Sequence, residues 1–257
     1  MLFGILFLLA ALAGSALFLF KPAWLPLAIS AEAHIHDQQF ERTLWIAGIL
    51  FLLAQTVIAV AIFRRHRSAT LASDVPQKGL AWTFWVWPAA FALVLVELAL
   101  AGSTTWAKIP ARTADTEVIE VYAHQFAWNF RYPGPDQTFG HTSIELIRDA
   151  GGNPLGIDPA DPAGRDDIVT ATLRVPVGRD VLLLMHSRDV IHDFFVRELR
   201  TKQDIVPGME IPLSIRVDRP GQYEIACAEL CGLGHSQMRS LLIAMPAAEF
   251  DLWKRIH

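Results

Sequence analysis

The run from Trp45 to Phe63 carries no charge, and only Gln55 and Thr56 interrupt its apolar character. A second run, Gly79 to Ala101, carries one charge, Glu97. A bilayer core about 30 Å thick needs about 20 apolar residues in helical form. Both runs meet that length, and nothing comparable follows Ala101. The chain therefore reads as a two-helix membrane hairpin over 44–104, with helices at about 45–63 and 79–101, followed by a water-facing domain over 105–257. Its 53% of hydrophobic residues is too high for one soluble domain and is concentrated in these runs. A further charge-free run, Leu2 to Phe20, precedes them. Residues 1–20 are a signal peptide with a small-residue site near Ala28 to Ala33, or an extra transmembrane helix. The lack of a basic residue ahead of this run, and its length, favour the helix.

Basic residues set the orientation. Arg64, Arg65, Arg67 and Lys78 lie between the two main runs, and short positive loops stay in the cytoplasm. Everything after Gly102 is then delivered to the outer side. From Gly102 onward there are 16 lysines and arginines against 21 aspartates and glutamates, a difference of −5. That balance argues against nucleic-acid binding and suits a basic protein partner.

The outer domain has a period of two, the signature of strands. Tyr122, His124, Phe126, Trp128, Phe130 and Tyr132 alternate with Gln125, Asn129 and Arg131, which predicts one half-buried strand ended by Pro133-Gly134-Pro135. Further strands are predicted at Ile168–Val175, Asp180–His186, His192–Glu198, Ile211–Val217, Gln222–Cys227 and Arg239–Met245, separated by turn residues such as Pro207-Gly208 and Pro220-Gly221. Short strands with regular turns predict an antiparallel sandwich or barrel. Asp149 to Asp167 reads as a surface loop, and Ala247–Ile256 as a short helix.

The stretch CAELCGLGHSQM, Cys227 to Met238, holds the only two cysteines of the chain. Two extracytoplasmic cysteines usually form a disulfide. A disulfide, however, has no use for His235 and Met238 placed just beyond. Zinc accepts Cys and His, but a thioether is a soft donor that favours copper. Cys231, His235 and Met238 with an upstream histidine form the ligand set of a blue-copper electron-transfer site. The second thiol, Cys227, allows two coppers bridged by both sulfurs, with a backbone carbonyl near Glu229 as a further weak ligand. The second imidazole is His186 or His192, and spacing alone does not choose between them.

These residues resemble subunit II of the haem–copper oxygen reductases, the cytochrome c oxidase family. The resemblance rests on Cys-x-Glu-x-Cys-x-x-x-His-x-x-Met, present as Cys227, Glu229, Cys231, His235 and Met238. Ser-x-Asp-Val-x-His is present as Ser187, Asp189, Val190 and His192, and Lys-x-Asp-x-x-Pro-Gly as Lys202, Asp204, Pro207 and Gly208. It covers the last two membrane helices and essentially the whole outer domain. The resemblance implies an all-β, cupredoxin-like sandwich behind the transmembrane helices and a binuclear copper A centre. It selects His192 over His186, lends copper the Glu229 carbonyl, and gives the Glu229 side chain a magnesium or manganese ion shared with subunit I. The implied function is electron entry into a proton-translocating terminal oxidase of the prokaryotic inner membrane. Electrons would come from a cytochrome c, whether soluble, anchored or fused, and pass to the haem–copper subunit I, with other oxidase subunits and the lipid membrane as partners. A related nitric oxide reductase is the alternative, and a copper-delivery protein a third class. Quinol oxidase subunits of the family lack the copper ligands. Phe194, Phe195, Leu230 and Leu233 are expected to exclude water from the centre. No nucleophile or acid–base pair is required in this chain.

Two positions depart from the family pattern. The aromatic run has Phe126 where the entry Trp usually follows Gln, so Phe126 and Trp128 are the candidate entry aromatics and Asp189 a candidate docking charge. At the cytoplasmic start of the last helix a frequent Glu is replaced by Ala81. Glu97 is expected to face a subunit I helix or to reach the interface, because an unpaired intramembrane charge is costly.

Overall fold

Helical and strand periodicities divide the chain into two kinds of structure, and a computed structural model describes residues 2–17, 25–67, 83–106 and 116–257. Ala81 and Lys78 lie outside the described residues. One unit contains the apolar helices and the other the β-structure together with the segment Leu27–His34. In the first unit α1 spans Leu2–Leu17, α2 Ala31–Arg67 and α3 Thr83–Trp106. At 1.5 Å per residue, the 37 residues of α2 rise about 55 Å and the 24 of α3 about 36 Å. Both are long and apolar enough to cross a membrane. Trp45, Phe84, Trp85 and Leu93 are all more than half exposed, surface that water disfavours and lipid tails accept. Glu97 has a partner that the sequence reading did not supply: its Oε1 lies 3.8 Å from Arg42 Nη1.

The second unit is a sandwich of two five-stranded sheets. Its strands are β1 (Glu117–His124), β2 (Ala127–Tyr132), β3 (Ile168–Thr170), β4 (Leu173–Pro176), β5 (Asp180–Ser187), β6 (His192–Val196), β7 (Thr201–Ile205), β8 (Ile211–Arg216), β9 (Gly221–Cys227) and β10 (Arg239–Met245). One sheet has the order β3-β2-β1-β5-β8 and the other β4-β10-β9-β6-β7. The sheets are mixed rather than purely antiparallel, because β1 pairs with β5, and β10 with β4, in parallel. The expected strand Ile168–Val175 is two strands, one in each sheet, with the crossing at Ala171-Thr172.

The aromatic run forms a hairpin, not one strand. His124 pairs with Ala127, so the chain reverses at Gln125-Phe126. The inward phase changes there: Ile119, Val121 and Ala123 are buried before the turn, and Trp128, Phe130 and Tyr132 after it. Arg131, expected on the wet face, is only 1% exposed. It survives burial because each of its three nitrogens has a hydrogen-bond partner. Nε reaches Asp167 at 3.0 Å, Nη1 reaches Glu120 at 2.9 Å and Nη2 reaches the Gly140 carbonyl at 2.5 Å.

Inward residues of both sheets merge into one core that includes Phe130, Leu183, Phe194, Ile225 and Leu242. Each fully buried side chain of this kind contributes about 1.5–3 kcal/mol. α4 (Ala247–Ile256) closes one side. Its Phe250 is buried, its Trp253 packs edge-on against Tyr132 at 4.9 Å, and Arg179 grips Asp251 through two 2.8 Å bonds. The segment before α2 also belongs to this unit. Ile29 is buried, donates its N–H to the Glu198 carbonyl at 3.2 Å and accepts from the Asp218 N–H at 2.8 Å. Ser30 caps α2 by accepting the Ala33 N–H at 3.0 Å.

Candidate metal centre

Three stretches of the second unit converge at one end of the sandwich. β6 begins at His192, β9 ends at Cys227, and the loop between β9 and β10 carries Cys231, His235 and Met238. Strand pairing sets the first contact, since Phe194 lies opposite Cys227 in the β6–β9 ladder. The loop is closed at its base by the Cys227 N–H, which donates to the Met238 carbonyl at 3.1 Å. The Ala228 N–H donates to the Asp193 carbonyl at 3.2 Å and holds the loop start against β6. A short 3-10 turn, His235–Gln237, then brings the imidazole and thioether back to the sulfurs.

His192, Cys227 and Cys231 offer donor atoms that lie within 4.8 Å of one another. The two Sγ atoms are 3.8 Å apart, almost twice a disulfide bond length, and both cysteines are free. Cys227 Sγ lies 3.9 Å from His192 Nδ1 and 3.2 Å from the Glu229 carbonyl oxygen. Cys231 Sγ lies 3.6 Å from His235 Nδ1 and 3.9 Å from Met238 Sδ. Each thiol therefore has its own imidazole, and the six predicted residues gather around the sulfur pair. His192 and Met238 are fully buried, both cysteines nearly so, His235 is half-buried and Glu229 exposed. Burial, with the neighbouring thiol of Cys227, pushes the Cys231 thiol up to about 11. A cation at the sulfurs would offset that penalty, since a coordinating thiol is deprotonated.

His186, the alternative left open by spacing, stands elsewhere. Its ring stacks on Tyr122 with centroids 5.0 Å apart, and its Nε2 lies 3.7 Å from Glu210. It faces its strand partner across the β1–β5 ladder, away from the thiols.

Several surrounding residues differ from expectation. Phe194 is buried and packs edge-on against Trp128 at 6.0 Å, as water exclusion requires. Leu230 and Leu233 do not exclude water: they are 78% and 105% exposed, at the crest of the loop. Shielding comes instead from Trp128, which also sits 6.5 Å from His192 and whose Nε1 reaches the Met238 carbonyl at 3.5 Å. Phe126 is 39% exposed, and its ring lies directly against Gly232 and Gly234. Asp189 is not a free docking charge, for its carboxylate bonds His192 Nε2 and the Gln125 N–H, both at 2.8 Å. The Asp-x-x-His spacing was the sequence signal for that bond. Asp193 was not anticipated at all. Its buried carboxylate lies 2.7 Å from Lys202 Nζ, and burial pushes it up to about 6 against the pull of that lysine.

The family model for the periplasmic domain of cytochrome c oxidase subunit II matches residues 117–245, half of the chain, and spans every ligand candidate. The chain belongs to the cytochrome c oxidase subunit II family. The "alternative cytochrome c oxidase subunit 2" of Bradyrhizobium diazoefficiens is 36% identical over 254 residues, covering 96% of this chain and 89% of that protein. Cytochrome c oxidase subunit 2 of a Synechocystis strain is 29% identical over 246 residues, covering 89% of this chain and 74% of its own length. Among solved structures, the periplasmic domain of a Bradyrhizobium japonicum subunit II is 22% identical with a TM-score of 0.40, covering 56% of this chain and 94% of that one. As a subunit II, the chain is part of a haem–copper terminal oxidase, an oxidoreductase, and its β-unit is the cupredoxin-like domain of the family. The family implies copper A. The donor set of two thiols, one thioether, two imidazoles and a carbonyl fits copper, because thiols and imidazoles suit zinc and copper alike but the Met238 thioether is a soft donor that favours copper.

Proposed function

We propose that this subunit II is the electron-entry point of its oxidase. It accepts electrons from a cytochrome c and delivers them to the haem–copper subunit I for reduction of oxygen to water. The observation that carries the reading is the sulfur pair, each thiol with its own imidazole, sealed beneath a loop on a rigid sandwich. Copper held there supplies a one-electron couple. His192, Cys227, Cys231, His235, Met238 and the Glu229 carbonyl would hold two copper ions. The exposed Glu229 carboxylate is available to a magnesium or manganese ion shared with subunit I.

The chain's own residues supply rigidity and access. His192 is fixed by Asp189, Cys227 by the β6–β9 ladder, and Met238 by the loop closure. Little needs to move when charge changes at so constrained a site. Trp128 and Phe194 keep water from the buried side. Phe126 is the partly exposed aromatic in contact with the metal-binding loop, so it is the natural edge for the incoming donor. α2 and α3 anchor the subunit in the membrane and the cupredoxin-like domain stands on the periplasmic side, in keeping with the positive Arg64 to Lys78 stretch.

The test is metal analysis and EPR of the purified full chain. The expected result is two coppers per chain and one unpaired electron shared between two nuclei. One copper, or a localised single-copper spectrum, would reject the assignment. Cys227→Ser and Cys231→Ser should each abolish the two-nucleus pattern.

A further inference from the structure

We infer that Gln125 is a positioning residue of the metal centre, tying the Cys231 half of the site to the carboxylate that orients the His192 half. The inference rests on the copper reading above and concerns what holds the two halves together. The two ligands come from segments far apart in sequence, and the β6–β9 pairing and the Ala228–Asp193 bond join these segments only at the base of the loop, leaving a gap between the Cys231 carbonyl and the Asp189 carboxylate. Gln125 spans that gap with two hydrogen bonds. Its backbone N–H donates to Asp189 Oδ2 at 2.8 Å, and its side-chain Nε2 donates to the Cys231 carbonyl at 2.5 Å.

Asp189 completes the strut. Its Oδ1 lies 2.8 Å from His192 Nε2 and also accepts the Val190 N–H at 2.7 Å. A carboxylate accepts only, so the Nε2 facing it carries the proton. The Nδ1 lone pair is then left pointing toward Cys227 Sγ, 3.9 Å away. Carboxylate partners of this kind fix the tautomer and raise the basicity of a metal-binding imidazole. Gln125 makes that orienter part of the Cys231 loop as well.

Local backbone chemistry agrees with this placement. A Cβ on Gly232 would lie 2.8 Å from Gln125 Nε2, and Gly232 has φ of +136°, a conformation that favours glycine. The loop therefore approaches the amide as closely as it does only because residue 232 has no side chain. Gln125 is an exposed residue, and its amide is held to the loop by this part-buried bond to the Cys231 carbonyl.

The experiment uses the full chain in detergent, with Cu(I) and Cu(II) added in equal amounts, and compares wild type, Gln125→Met and Asp189→Asn. Met keeps the length and volume of Gln but cannot donate. Outer-shell losses of this type weaken metal binding about 10–100-fold. The expected result for Gln125→Met is copper affinity reduced within that range and altered copper hyperfine splitting, with metal-free melting close to wild type. Asp189→Asn should move the midpoint potential upward, because a negative charge is removed beside the imidazole. Wild-type affinity, spectrum and potential in Gln125→Met would overturn the inference. So would lowered metal-free melting with an unchanged spectrum and potential, which would assign Gln125 to folding alone. If wild type itself fails to bind two coppers, the copper reading falls and this inference with it, an outcome distinct from a normal wild type with silent variants.

Discussion

Replacing Gly234 by Ala tests how tightly the metal-binding loop is seated on Phe126. A Cβ at residue 234 would lie 2.5, 2.6 and 2.9 Å from three atoms of the Phe126 ring. Carbon atoms sit comfortably at about 3.5–4.0 Å, so the ring or the loop must yield by about 1 Å. Gly234 has φ of −92°, which any residue adopts, so the penalty is steric and not conformational. Overpacking of this kind costs about 1–3 kcal/mol. For a domain of about 150 residues each kcal/mol lowers Tm by about 2–4 °C, which predicts a fall of about 2–12 °C. His235 follows immediately, so copper uptake should weaken as well. The diagnostic is the cycle with Phe126→Ala, measured by thermal unfolding of the metal-free chain in detergent. Removing the ring removes the clash, so Gly234→Ala should cost much less in the Phe126→Ala background, with a coupling of about 0.5–3 kcal/mol. Strict additivity, or a Gly234→Ala chain that melts with wild type, would show that the loop does not rest on the ring.

Three further outcomes follow from other parts of the molecule. Arg131→Met strands the carboxylates of Glu120 and Asp167, and removing one partner of a buried ion pair costs about 3–5 kcal/mol, to be read in urea titrations. His186→Ala should retain two coppers while His192→Ala loses copper, and the reverse pattern would reassign the ligand. Burial, reinforced by the charge of Glu120, pushes Tyr122 up to about 12 from an ordinary value of 10.0. Between those values the unfolded chain loses a proton that the folded chain keeps, so stability falls as pH rises through that window. Tyr122→Phe should flatten that slope, and an unchanged slope would exclude Tyr122 as its source.

The candidate ligands that the structure gathers were legible because the chemistry is concentrated in two short motifs, although spacing left His186 and His192 open and the family resemblance chose between them. The membrane helices were legible because lipid demands an unbroken apolar run. The hairpin over Glu117 to Tyr132 was not legible. Its turn, Gln125-Phe126, contains no Gly, Pro, Asn or Asp, and the aromatic alternation continues through it, so period two looks unbroken while the inward face changes. Arg131 was misplaced for a related reason: its burial depends on Glu120, Asp167 and Gly140 arriving from other segments, which no local pattern records. Leu230 and Leu233 show the reverse error. Apolar type suggested shielding, but a loop crest turns its side chains outward. β7 was missed because Thr-Lys-Gln-Asp-Ile has little apolar content, and its strand state comes from pairing with β6.

The segment around Ile29 makes the cupredoxin-like unit discontinuous in the chain, and that has a temporal consequence. Ile29 and Ala31 emerge from the ribosome long before their partners. The Ala31 N–H bonds Asp218 Oδ2, which lies 187 residues later. At about 5–20 residues per second, that separation is a wait of about 10–40 s during synthesis. Throughout that interval Ile29 has no core to enter and Ser30 caps a helix whose lead-in is untethered. α2 is therefore synthesised before the β-unit that secures its first turn exists. A chain truncated before Asp218 lacks the donor to the Ile29 carbonyl and the acceptor for the Ala31 N–H, so this segment stays unpaired there until synthesis is nearly complete.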